Sequence, residues 1–186
     1  RELVRILDGF SELLRKGEQR PNSIKQLIRR ARDINRVRFR NHEVKLVCPA
    51  LEEDAPDIER KFAFGLLLGA LNNLLDNAFY WLQVRWPEGQ GPSQRKLYIN
   101  VEPDFPGGPA IVVADNGTGF QDDPGRLTRP FFSRRPDGMG VGLYYANMVM
   151  ELNGGRLAFP DADEANIPDG FDGAVLALLF GKGGES

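Results

Sequence analysis

Leu3, Ile6, Leu7, Phe10, Leu13 and Leu14 recur at three- and four-residue spacing, the period of an amphipathic helix. A breaker cluster from Gly17 to Pro21 follows, and then Ile24, Leu27, Ile28, Ala31 and Ile34 repeat the stripe. Ser23, with Gln26 three residues later, has the form of a capping box that starts the second helix. Two narrow stripes joined by a short turn predict a helical hairpin over residues 1–40, one that needs a partner hairpin to bury it. From Glu43 the pattern changes. Glu43 to Cys48 alternates and ends at Pro49, as a strand does. Asp57 to about Val84 reads as helical, with Pro87 just beyond its end. Lys96–Val101 and Ala110–Ala114 read as strands, the second nearly all apolar and therefore central. Gly142 to Leu152 is helical and stops at Asn153-Gly154-Gly155. Arg156–Phe159 and Ala174–Phe180 close the chain as strands, with an acidic, exposed loop from Pro160 to Gly170 between them. Residues 41–186 thus predict an α+β domain, a two-layer α/β sandwich with a mixed sheet and helices on one face.

Composition narrows the classes. The 186 residues suffice for one domain with a real core. Net charge is −2, so no global field points to nucleic acid, and none is expected as a partner. Arg29, Arg30, Arg32, Arg36, Arg38 and Arg40 read as a solvated helix face, because acidic residues balance them. The single cysteine, Cys48, excludes a disulfide framework and fits a reducing, cytoplasmic setting. The longest apolar stretch, Phe64 to Leu75, is interrupted by glycines and asparagines and is too short to span a bilayer. The chain opens at Arg1 without a signal-peptide pattern, so a piece of a longer protein is expected, with any membrane tie in other domains.

Three constellations carry chemistry. Asn73 and Asn77 lie four apart on the long helix, with Trp81 one turn on, and an Asn carbonyl is a hard oxygen ligand suited to Mg²⁺. Val112-Val-Ala-Asp-Asn-Gly-Thr-Gly-Phe120 runs a buried strand into a carboxylate and two glycines. Ionised, Asp115 can accept from an exocyclic amine such as that of adenine, while the glycines let a ligand approach the backbone. Pro130-Phe-Phe-Ser-Arg-Arg-Pro-Asp-Gly-Met-Gly-Val-Gly-Leu143 leads alternating glycines into a helix N-terminus, a cradle for phosphate beside Arg134 or Arg135.

In order and spacing, Asn73-Leu-Leu-Asp-Asn-Ala78, Asp115-Asn-Gly-Thr-Gly119, Pro130-Phe-Phe-Ser-Arg-Arg135 and Gly138-Met-Gly-Val-Gly-Leu143 resemble the GHKL superfamily of Bergerat-type ATPases. The match is most similar to the ATP-binding domain of sensor histidine kinases, and it runs from about Glu43 to Phe180. The resemblance implies ATP and Mg²⁺ as cofactors, Asn77 as the metal ligand and Asp115 as the adenine reader. It further implies a base pocket shaped by Gly117, Gly119, Phe120 and Trp81, and a lid of Phe132, Gly138, Gly140, Val141, Gly142 and Leu143. Asn73 and Arg135 are the expected catalytic-site residues. Asn73 stands where water-activating branches carry a glutamate, which favours phosphoryl transfer over hydrolysis. Tyr80 departs from the basic residue common in the kinases, which keeps a non-kinase GHKL ATPase, a nucleotide-gated interaction module, as the alternative. The resemblance also implies a dimerising hairpin, giving a homodimer, a response-regulator partner, and a phospho-accepting histidine upstream of Arg1. His42 reads instead as a surface or strand-edge residue.

Overall fold

The computed structural model describes residues 17–181. Arg20–Ser23 (β1) leads into the helix Ile24–Asn41 (α1), and Ser23 Oγ caps it by accepting from Gln26 N at 2.9 Å. Ser23 Oγ in turn donates to the Asp57 carboxylate at 2.7 Å, tying the helix start to a distant loop. Lys45–Val47 (β2) and Glu59–Phe62 (β3) follow, then the long helix Phe64–Arg85 (α2). Lys96–Glu102 (β4) and Ala110–Asp115 (β5) precede the short helix Pro124–Leu127 (α3). Gly142–Leu152 (α4), Arg156–Ala158 (β6) and Val175–Leu179 (β7) complete the described elements.

Five strands form one mixed sheet in the order β2-β4-β5-β7-β6, parallel only between β2 and β4. The wholly buried β5 is its centre, as its unbroken apolar run requires. Leu97, Ile99, Ile111, Val113, Leu176 and Leu178 point into the layer of α1, α2 and α4, where Leu67, Leu71 and Leu74 are fully buried. Truncating one of these leucines to alanine costs about 2–5 kcal/mol.

Four expectations change. The helix expected from Asp57 begins only at Phe64, because Glu59–Phe62 pairs antiparallel with Arg20–Ser23 as a separate two-stranded sheet. That pairing joins segments 40 residues apart, which local periodicity cannot register. The first apolar stripe, Leu3 to Leu14, lies outside the described residues. The second does not wait for a partner hairpin: Ile24, Leu27, Ile28, Ala31 and Phe39 share the core of α2 and the sheet, so packing runs across the boundary expected at residues 40–41. Ile34, assigned to that stripe, is 51% exposed, since the buried face turns instead through Asn35 and Phe39. Finally, the loop from Pro160 to Gly170 is exposed only in part. Ala165 and, beyond the loop, Phe171 pack with Tyr98, Val112, Ala114 and Ala177 on the sheet face away from the helices. Among the described residues, no helix is long and apolar enough to cross a membrane.

Candidate functional site

Strand β5 delivers Asp115 to its last position, with the backbone clamped from both sides. Asp115 N donates to Ala174 O at 3.1 Å and Gly173 N donates to Asp115 O at 2.8 Å. The chain then turns, and Gly117 N donates to Asp115 Oδ1 at 2.7 Å while Ala174 N approaches the same oxygen at 3.3 Å. A Cβ on Gly117 would come within 2.9 Å of both Asp115 Oδ1 and the Trp81 backbone, so only glycine fits. Gly119 has φ +72°, the left-handed region. Asn116 faces away and is structural, accepting from Lys96 N at 2.7 Å and donating to Gln94 O at 2.8 Å. Arg85, at the end of α2, donates to the carbonyls of Asn116 and Gly117 and pairs with Asp172, fixing the turn from outside. Burial raises the Asp115 carboxyl to about 6, against the lowering effect of the two amides.

Opposite this turn, α2 presents Asn77, Ala78 and Trp81 to a pocket that Asp115 and Gly119 line from the other side. Leu143, Ala174 and Leu176 add apolar walls; Phe120 and Phe132 close it from the loops and Leu127 from the end of α3. The lid segment after α3 folds back on itself. Phe131 N donates to Gly140 O at 2.9 Å, and both residues take positive φ, +65° and +68°. A Cβ on Gly140 would lie 2.5 Å from the Phe131 carbonyl carbon, so this glycine is a packing requirement.

Charged side chains occupy the mouth. Arg134 donates to Asp122 on one side, and Arg126 joins the same carboxylate at 3.3 Å. Arg135 reaches the other side, where Nη1 donates to Asp76 Oδ2 at 2.8 Å and lies 3.4 Å from Asn77 Oδ1. Its guanidinium also rests over the Tyr80 ring, 4.5 Å from the centroid. The oxygen of Asn77 therefore already faces a cationic group, and a divalent metal suits the same donor. Among the described residues no cluster of three His, Cys, Asp or Glu side chains could hold a metal, so an ion here would draw further oxygens from a ligand.

Of the expected site residues, Asn77, Trp81, Asp115, Gly119, Phe120, Phe132, Arg135 and Leu143 line this pocket. Gly117, Gly138, Gly140, Val141 and Gly142 shape the backbone around it without lining it. Asn73 stands apart. Its Nδ2 donates to Gly69 O at 3.0 Å, and it lines a neighbouring groove with Arg38 and Asp76. Sequence reasoning missed Asp122, Ala174 and Leu176, which come from loops and from the far strand β7, and it missed Gly173 behind Asp115. It also treated Arg38 as part of a solvated face, whereas Arg38 Nη1 donates to Asp76 Oδ1 at 2.8 Å. His42 caps the C-terminus of α1, with Nδ1 3.2 Å from Glu88 Oε1 and its ring edge against Phe79. Neither His42 nor Cys48, whose thiol burial pushes up to about 11, lines the pocket.

The geometry matches a described family. Residues 66–175 match the model of the histidine kinase-, DNA gyrase B-, and HSP90-like ATPases. The chain belongs to this ATPase family. Its curated relatives are sensor histidine kinases and regulators of that kind. It is 32% identical over 114 residues to nitrogen regulation protein NtrY of Azorhizobium caulinodans, a match covering 60% of this chain and 14% of that protein. It is 27% identical over 163 residues to sensor protein kinase PilS of Pseudomonas aeruginosa, covering 86% of this chain and 29% of that one. The chain therefore spans less than a third of either relative. Among solved structures, the catalytic domain of histidine kinase ThkA superposes with a TM-score of 0.66 at 19% identity, covering 86% of this chain and 93% of that one. That likeness shows the fold: a mixed sheet carrying the helical layer of histidine-kinase catalytic domains.

Proposed function

We propose that this chain binds Mg·ATP in the α2–β5–lid pocket and passes the γ-phosphate to a histidine that these residues do not include, for two-component signalling. The observation that carries the reading is the juxtaposition of a buried Asp115 at the closed end with Asn77 and Arg135 at the mouth, both lining one pocket. Asp115, ionised and already oriented by two amides, accepts from the adenine amine, while Trp81, Phe120, Leu143 and Leu176 enclose the ring. Gly119, which lines the pocket, brings no side chain against the nucleoside, and Gly117 lets the turn close on Asp115 and Trp81. Asn77 would hold Mg²⁺, which when bound neutralises phosphate charge. Arg135 supplies a mobile positive charge for the terminal phosphates, and Gly138, Gly140 and Gly142 let the segment carrying it close. Asn73, bonded back to its own helix, offers no carboxylate to activate water. That supports transfer rather than hydrolysis. ShkA, of the same fold, was solved with AMPPNP, which supports a nucleotide ligand for this pocket.

Calorimetry with a non-hydrolysable ATP analogue tests the binding step: affinity in the micromolar range with Mg²⁺, lost in Asp115→Ala, is expected. The transfer step is read in the full-length protein from acid-labile, base-stable protein-bound phosphate. ADP release without such phosphate would favour the second reading, a non-kinase ATPase module. One observation leans that way: Tyr80 stands where a basic phosphate contact is common in the kinases, and it stacks under Arg135 instead. Regulator docking and dimerisation through a helical hairpin belong to this proposal and require the longer chain.

A further inference from the structure

Asp76 sits beside Asn77 on α2 yet lines the neighbouring groove with Asn73 and Arg38, not the pocket. One carboxylate oxygen, Oδ1, accepts from Arg38 Nη1 at 2.8 Å; the other, Oδ2, accepts from Arg135 Nη1 at 2.8 Å. The same Arg135 nitrogen lies 3.4 Å from Asn77 Oδ1. Two hard oxygens thus converge on a single cationic nitrogen. The two arginines differ in how they are held. Arg38 belongs to α1, donates to Asn35 Oδ1 at 2.6 Å and stacks over Phe79 at 4.5 Å, so a helix and two side chains fix it. Arg135 comes from the lid loop, and its guanidinium is held by Asp76, Asn77 and the Tyr80 ring.

We propose that Asp76 Oδ2 and Asn77 Oδ1 together form a cation site, that the Arg135 guanidinium and a divalent metal compete for it, and that nucleotide binding exchanges one for the other. When the metal enters, Arg135 is released toward phosphate, and Arg38 keeps the Asp76 carboxylate charge-balanced. The side chains of Arg135 and Asp76 are 30% and 44% exposed, so water screens their pairing and a divalent ion bearing phosphate oxygens can displace it. Coupling of this kind makes metal affinity and lid opening two readings of one equilibrium.

The nucleotide reading supplies the occasion for the exchange, but bare metal tests the site separately. Mn²⁺ binding to the 186-residue chain without nucleotide is measured by the loss of free-ion EPR signal. Arg135→Gln removes the resident cation and is expected to tighten Mn²⁺ binding about fivefold, and adding Asp76→Asn to it should abolish the gain. Equal Mn²⁺ affinity in wild type and Arg135→Gln, or a gain that survives Asp76→Asn, overturns the proposal. In a second measurement, calorimetry compares an ATP analogue with Mg²⁺ and with EDTA. Asp76→Asn should shrink the ratio of the two affinities about tenfold while leaving EDTA binding unchanged or tighter. An unchanged ratio overturns the cation site while leaving the nucleotide pocket standing. If wild type binds no analogue under either condition, the nucleotide reading falls, and the Mn²⁺ comparison still decides the site.

Discussion

At the β5 end of the pocket, Asp115 is held by backbone amides and shut away from water. At the mouth, Asp122 pairs with Arg134 and Asp76 with Arg135 through side chains, and the second pair is half-buried. The first arrangement is rigid because its donors belong to strands and to a turn whose glycines cannot be replaced. It bears a desolvation cost that folding has to absorb. The Asp76–Arg135 pair costs less to break, since both of its partly exposed groups can trade it for water or for a ligand oxygen. A base needs one fixed geometry, whereas phosphates and a metal arrive with charge that has to be met by groups able to move. On the proposed nucleotide reading, the contrast separates specificity from closure along one pocket.

The largest effect should come from damaging the rigid end. A Cβ at Gly173 would overlap Asp115 Oδ1 and come within 2.6 Å of Gly117 N, all of it atoms that cannot swing aside. Gly173→Ala should therefore weaken nucleotide binding by about 100-fold or more and destabilise the chain by about 1–3 kcal/mol, read by calorimetry and thermal melting. Next comes Asp115→Asn. Losing a charge-assisted acceptor should cost about 2 kcal/mol of nucleotide affinity. The same change should raise stability at pH 7 by on the order of 2 kcal/mol, because the neutral amide escapes the burial cost that lifts the carboxyl to about 6. A variant that loses both affinity and stability would contradict the desolvated-carboxylate account.

The pH dependence is a smaller form of the same test. An acid whose folded pKa is raised binds more protons in the native state between about 4 and 6, so its contribution to stability falls as pH rises through that window. Nucleotide affinity should move oppositely, rising through pH 6 and levelling above it, by about tenfold between pH 5 and pH 7. Flat affinity over that range would remove Asp115 from base recognition. The smallest effect belongs to the mouth: Arg126→Gln, which removes an exposed partner of Asp122, should change affinity less than about threefold, with the difference fading at high salt. A large, salt-insensitive loss there would erase the distinction between the two ends.

Much of this site was legible because its motifs are local. A strand running into Asp115-Asn-Gly-Thr-Gly119, an asparagine four residues from another on one helix, and glycines leading into α4 each express a backbone requirement within a few residues. The strands of the main sheet were legible for the same reason, with boundaries within a residue or two. The pairing of Arg20–Ser23 with Glu59–Phe62 was not, because each segment alone is too polar and too short to announce a strand. Nor was the role of Asp76. In sequence it is one carboxylate between two asparagines; in space it lies between an arginine of α1 and an arginine of the lid.

Sequence alone determined the α+β class and the central place of β5, and it singled out Asn77, Asp115 and the turn glycines as candidates, because hydrophobic period and backbone conformation are encoded at short range. Tertiary structure decided which asparagine enters the pocket and which turns back on its own helix. It also decided that α1 belongs to the main core, and that a loop expected to be exposed packs partly onto the sheet. Those outcomes depend on which surfaces meet, and burial and ion pairing between distant segments exist only once the chain has folded.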